Sequence, residues 1–108
     1  MAAVIWTIRA QSGKDRLYQE GRLQFGVAVA KRMARKIEEI QRKLQRYPTI
    51  GYPEPLLKTH IPLYRAWPIN KRFKIIYRFD EPNDTVVIED IWDTRRSPQN
   101  LTQRIKKQ

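Results

Sequence analysis

Between Lys58 and Arg78 the chain carries six basic side chains, Lys58, Arg65, Lys71, Arg72, Lys74 and Arg78, and no acidic one. Arg95 and Arg96 open a second acid-free run that continues through Arg104, Lys106 and Lys107. Fixed cations at this density have one general chemistry: they hold phosphates, carboxylates or other anions. Groups able to move a proton near neutral pH are fewer. His60 is the one histidine, and its imidazole could serve as a general base, but it lies in a proline-bounded loop and reads as an ordinary exposed side chain. Tyr64 and Tyr77 could donate a proton or stack on a nucleobase, as could Trp67 and Trp92 stack. Tyr77 alternates with Phe73 and Ile75, and Trp92 sits in an apolar run, so both read as core. Glu89, Asp90 and Asp93 cluster three carboxylates. Glu89 and Asp93 share a face of an ideal strand, and the surrounding cations point to salt bridges rather than to a metal. With no cysteine and a single histidine, thiolate and histidine-rich metal sites are excluded, and no metal or cofactor is expected.

The elements that must position these groups follow from periodicity. Val4-Ile-Trp-Thr-Ile8 reads as a first strand. Ser12 with Asp15 resembles a capping box opening a short helix that ends near Gln24, and Gly26 permits a break. Val29, Met33, Ile37, Ile40, Leu44 and Tyr47 form one apolar stripe at helical spacing, which predicts a second helix ending before Pro48. Pro48 to Pro55 reads as a loop, with three prolines and Gly51. Leu63 to Trp67 reads as a strand between Pro62 and Pro68, suited to an edge. Arg72 to Asp80 and Thr85 to Arg96 form a hairpin turning through Glu81-Pro-Asn-Asp84. In its first strand Phe73, Ile75, Tyr77 and Phe79 take one face, and Arg72, Lys74 and Arg78 share the other with Ile76. Ser97-Pro98 reads as the start of a last helix that docks through Leu101 and Ile105. The order β-α-α-β-β-β-α, with helices grouped before the sheet, is an α+β pattern.

At 108 residues the chain is expected to be one domain, spanning 1–108. An apolar content of 41% argues against disorder. The net charge of +11 points to nucleic acid, an anionic surface or an acidic protein as partner. No signal peptide or membrane span is legible, so a cytoplasmic protein is expected. The second helix adds Lys31, Arg32, Arg35, Lys36, Arg42, Lys43 and Arg46 against Glu38 and Glu39. That run reads as a solvated face with partial pairing along the helix. Like charges on a strand have no such ordinary explanation, so the sheet cations are the expected anion contact.

The ordered set of these segments resembles the RelE/ParE superfamily of bacterial type II toxins, the plasmid-stabilisation proteins. The resemblance runs from Val4-Ile-Trp-Thr with Ala10, through the long helix with Ala30 and Ile37, Pro48-Thr-Ile-Gly-Tyr-Pro53, Leu57-Lys58 and Tyr64-Arg65. It is strongest at Phe73-Lys-Ile-Ile-Tyr77 and Val87-Ile-Glu-Asp-Ile-Trp-Asp-Thr-Arg-Arg96. It implies a small curved antiparallel sheet backed by a helical hairpin, with an acidic antitoxin segment as partner. RelE-like members of the family are ribosome-dependent mRNA endonucleases, whose site needs a base, an acid and cations for the phosphorane charge. Carried onto this chain, Arg65, Lys74 and Arg95 fall at basic positions of that site, on one concave sheet face. Trp67 replaces a second strand lysine and Leu101 replaces a C-terminal tyrosine. The acid and base are thus missing, which favours the ParE-like branch that poisons DNA gyrase. An mRNA endonuclease with a substituted site and a non-catalytic RNA-binding module are the alternatives.

Overall fold

The computed structural model describes residues 1–96 together with Leu101 and Ile105. Strand β1 (Ala3–Trp6) leads into helices α1 (Ile8–Phe25) and α2 (Val27–Arg46), followed by β2 (Tyr52–Pro53), a 3₁₀ turn at Pro55–Leu57, β3 (Arg65–Pro68), β4 (Phe73–Asp80) and β5 (Thr85–Asp93). The strands form a five-stranded sheet in the order β1-β5-β4-β3-β2. The sheet is mixed rather than wholly antiparallel: β1 runs parallel to β5, with Ala3 opposite Thr85 and Trp6 opposite Ile88. The two helices must return the chain between these strands, and such a crossover permits parallel pairing that a tight turn forbids.

Helix α1 starts well before Ser12. Its N-cap is Thr7, whose hydroxyl accepts from the backbone N–H of Ala10 and donates to the carbonyl of Glu89, at 3.1 and 3.0 Å. One side chain thus closes the helix start and ties it to β5, so the capping-box reading of Ser12 and Asp15 gives way to a cap anchored by the sheet. Gly26 ends α1 at φ +93°, a conformation that a Cβ opposes, and α2 begins at the next residue. Val29, Met33, Ile37, Ile40 and Leu44 do lie on the inner side of α2, with Ile37, Ile40 and Leu44 fully or nearly buried. Burial of each such side chain contributes roughly 1.5–3 kcal/mol. Tyr47 does not continue the stripe. It is the C-cap, outside helical geometry, and is exposed.

The helix face of the sheet carries Phe73, Ile75, Tyr77 and Phe79 of β4 with Val86, Ile88 and Ile91 of β5, packed on Leu17, Ile37, Ile40 and Leu44. Trp6 joins β1 to both helices: its indole N–H donates to Gln41 and Lys14 lies 4.3 Å from its ring centroid. The second face buries Ile76, Ala66 and Trp92 beneath Leu57, Tyr64, Leu101 and Ile105. Leu101 and Ile105 have helical backbone; Ser97-Pro98, the expected helix start, lies outside the described residues. The loop expected from Pro48 to Pro55 contains the short edge strand β2, whose Tyr52 pairs with Ala66.

The β4–β5 ladder shifts register between Ile76 and Tyr77: Ile76 lies opposite Asp90 and Tyr77 opposite Ile88, so Glu89 is an extra residue on β5. A bulge of this kind reverses the alternation beyond it. Glu89 therefore projects from the second face, where it meets Arg78, while Asp93 pairs with Phe73 and projects from the helix face. The simple alternation that placed both carboxylates on one face does not survive it.

Candidate functional site

The same pairing register divides the expected basic site. Arg65 of β3 lies opposite Tyr77 and shares the helix-side face, whereas Lys74 lies opposite Trp92 on the second face. Arg65 and Lys74 therefore do not line one concave surface, contrary to the arrangement expected from strand alternation and family placement. The reason is that alternation gives relative faces within a strand, while the face shared between strands depends on register.

Arg65 holds a loop. One terminal nitrogen of its guanidinium donates to the carbonyls of Thr49 and Gly51, at 3.2 and 2.9 Å. The hydroxyl of Tyr77 accepts from the Gly51 N–H at 2.8 Å. Gly51 is required here by close approach: a Cβ would stand 2.6 Å from the Tyr77 hydroxyl and 2.8 Å from the Ala66 carbonyl. Burial pushes the Tyr77 phenol up, against the opposing influence of the Gly51 N–H and the Arg65 charge, and the hydroxyl anchors the loop through Gly51. Tyr77 is fully buried, as its place in the alternation predicts.

Lys74 is neutralised. Its Nζ lies 2.6 Å from Oε2 of Glu54, an ion-pair contact without hydrogen-bond alignment, and the side chains are 13% and 0% exposed. The other oxygen of Glu54 accepts from the Leu56 N–H and caps the 3₁₀ turn. Glu54 escaped the reading of the sequence, yet a signal existed: it is the one acid between Glu39 and Asp80, set between two prolines.

The remaining sheet cations are paired as well. Arg78 meets Glu89 at 2.9 Å, and Arg72 meets Asp93 at 3.0 Å, with Arg95 at 3.6 Å from the same carboxylate. Burial alone would raise the Asp93 pKa, but the Arg95 N–H and the Arg72 guanidinium outweigh it and hold the carboxyl below its usual range. These contacts agree with the salt-bridging role expected for Glu89 and Asp93. Lys58, Lys71 and Arg96 make no ion pair among the described residues. Arg96 and Arg72 do line a cavity of about 250 Å³ beside α1, with Arg9 and Arg16, but Glu20, Asp90 and Asp93 share its wall. His60 is partly buried, its ring 6.3 Å from that of Tyr64 in an edge-on arrangement. The Tyr64 phenol is raised by burial and then by Glu89, with Arg78 opposing. Trp67 faces the helices, with Lys43 5.2 Å from its ring centroid, and Leu101 fills the second face. Among the described residues the second face thus offers two ion pairs, Lys74–Glu54 and Arg78–Glu89, and apolar cover.

The helical hairpin supplies a different surface. An apolar groove of about 380 Å³ runs between α1, α2 and the start of β4, lined by Leu17, Phe25, Val29, Met33 and Phe73 among others. Leu23, Phe25 and Val27 at the hairpin tip are 79, 67 and 48% exposed. Contiguous exposed apolar side chains of this kind mark a binding surface.

This architecture, an N-terminal strand and helical hairpin on a five-stranded sheet with a filled second face, defines a small α+β protein. Residues 4–98 match the family model of the ParE toxin of the type II toxin-antitoxin system, parDE, and the chain belongs to that family. Two solved structures have the same fold. One is described as the chromosomal ParDE toxin-antitoxin system from P. aeruginosa, at TM-score 0.67 and 21% identity over 86% of this chain and 96% of that one. The other is the YoeB/ParE toxin from Agrobacterium tumefaciens, at TM-score 0.59 and 22% identity over 84% of this chain and 96% of that one. No curated protein sequence matches the chain significantly.

Proposed function

We propose that the protein is a growth inhibitor of the ParE-like branch, acting in the cytoplasm on a protein target such as DNA gyrase and neutralised by a cognate antitoxin. The observation that carries this reading is the Lys74–Glu54 pair, its side chains 13% and 0% exposed. A phosphoryl-transfer site needs cations aimed at the developing charge and a group to move the proton. Here the strand lysine is compensated, Arg65 serves a loop on the opposite face, and the positions of the missing acid and base hold Trp67 and Leu101. The RelE-like nuclease reading loses its cationic constellation. The antitoxin would lay the apolar face of a segment into the groove between α1, α2 and β4, with acidic residues answering the cations at its rim.

Expression without antitoxin tests this directly. The expected outcome is arrested growth with a DNA-damage response while translation, read by pulse-labelling, continues. Immediate translation arrest with cleaved mRNA would overturn the reading in favour of the endonuclease.

A further inference from the structure

The four ion pairs described above involve β3–β5, the segment after β5 or Glu54, and none involves α2. Cations without an ion-pair partner among the described residues include Lys58, Lys71 and Arg96, but the longest run of them on one element lies on α2. Lys31, Arg32, Arg35, Lys36, Arg42 and Arg46 are all exposed and none has an ion-pair partner among the described residues. At 100° per residue they fall on one arc, which also carries Glu39, opposite the buried Ala30, Ile37, Ile40 and Leu44. From Lys31 to Arg46 the rise is about 22 Å, a length over which duplex DNA presents roughly 13 phosphates.

This arrangement is not what helix stability asks for. Lys31 and Arg35, Arg32 and Lys36, and Arg42 and Arg46 are like charges one turn apart, which repel. The first turn of α2 holds no acid to complement the helix dipole. Glu38 and Glu39, which could have relieved the face, make no ion pair with it. The face between Lys31 and Arg46 also presents no large exposed apolar side chain. A protein partner needs such anchors at the centre of its interface, and a single strand needs aromatic platforms for its bases. A duplex backbone needs neither.

We propose that the exposed face of α2 binds the phosphate backbone of duplex DNA without reading its sequence. This face is distinct from the groove between α1, α2 and β4 proposed above for the antitoxin. It moves the anion-binding role from the sheet, where the sequence places it, to the helix.

The test is fluorescence anisotropy of a labelled 20-bp duplex with the purified full-length protein across a salt series. The expected log–log slope for the unmodified protein is about −5, from roughly 0.9 per phosphate neutralised by six cations. The variant Arg32→Gln/Arg35→Gln/Lys36→Gln/Arg42→Gln should flatten the slope by about 3 to 4, with helicity by circular dichroism unchanged. Lys58→Gln/Lys71→Gln, on the sheet side, should leave it nearly as steep. An unaltered slope in the α2 variant, or a slope lost in the sheet-side variant, would overturn the proposal. So would equal or tighter binding of a single strand, or binding of anionic vesicles in place of the duplex. Growth inhibition measured on the same variants keeps the two questions apart, because its loss or retention does not enter the slope.

Discussion

Replacing Lys74 by methionine separates the two roles that a strand lysine can have. The substitution keeps length and apolar stem while deleting the charge, so Glu54, 0% exposed, is left buried without its counter-ion. Removing one partner of a buried pair costs about 3–5 kcal/mol, most of it the desolvation of the survivor. Against a typical domain stability of roughly 5–15 kcal/mol that is a large share. With a urea m-value of roughly 1–3 kcal/mol/M, the unfolding midpoint should fall by about 2 M at mid-range, between roughly 1 and 5 M at the extremes. Glu54→Gln in the same chain retains an acceptor for the Leu56 N–H and removes the orphaned charge. The double variant Glu54→Gln/Lys74→Met should therefore recover much of the loss, with a coupling of roughly 1–3 kcal/mol. Equilibrium urea unfolding of the two single variants and the double completes the cycle. A Lys74→Met protein within about 1 kcal/mol of the parent, yet unable to inhibit growth, would refute the argument. Lys74 would then be a site cation rather than a structural one.

Three further outcomes follow from the geometry. Gly51→Ala drives a methyl group against the Tyr77 hydroxyl and the Ala66 carbonyl and should cost about 1–3 kcal/mol, measurable as a lowered melting temperature. Thr7→Ala removes both the α1 cap and the bond to Glu89 and should cost about 1–2 kcal/mol, with Thr7→Ser recovering most of it in the same melt. Asp93 has a folded-state pKa below its usual 3.8, so its contribution is present above that value and is lost as pH falls through the lower folded one. Asp93→Asn should thus narrow its stability gap from the parent when urea midpoints are compared at pH 6 and pH 2.5; a constant gap would mean that Arg72 and Arg95 do not hold the carboxylate.

The amino-acid sequence by itself determines the elements whose causes are local. The stripe Met33, Ile37, Ile40, Leu44 makes α2, Gly26 separates it from α1, and Pro48 stops it near Arg46. The alternation Phe73, Ile75, Tyr77, Phe79 puts these four against the helices, because each rests on a period that a few neighbouring residues carry. Even the excess charge is legible, as a total. Tertiary structure alone decides where that charge is spent. The bulge at Glu89 sends Asp93 to Arg72 and leaves Glu89 to Arg78; the β3–β4 register turns Arg65 away from Lys74; and the fold of the proline loop brings Glu54 beneath Lys74. Each of these joins residues distant in the chain, through a register or a loop path that no local period encodes. Of the cations that stood out in the sequence, Arg72, Lys74, Arg78 and Arg95 are consequently ion-paired, while those on α2, which had an ordinary explanation as a solvated face, make no ion pair among the described residues.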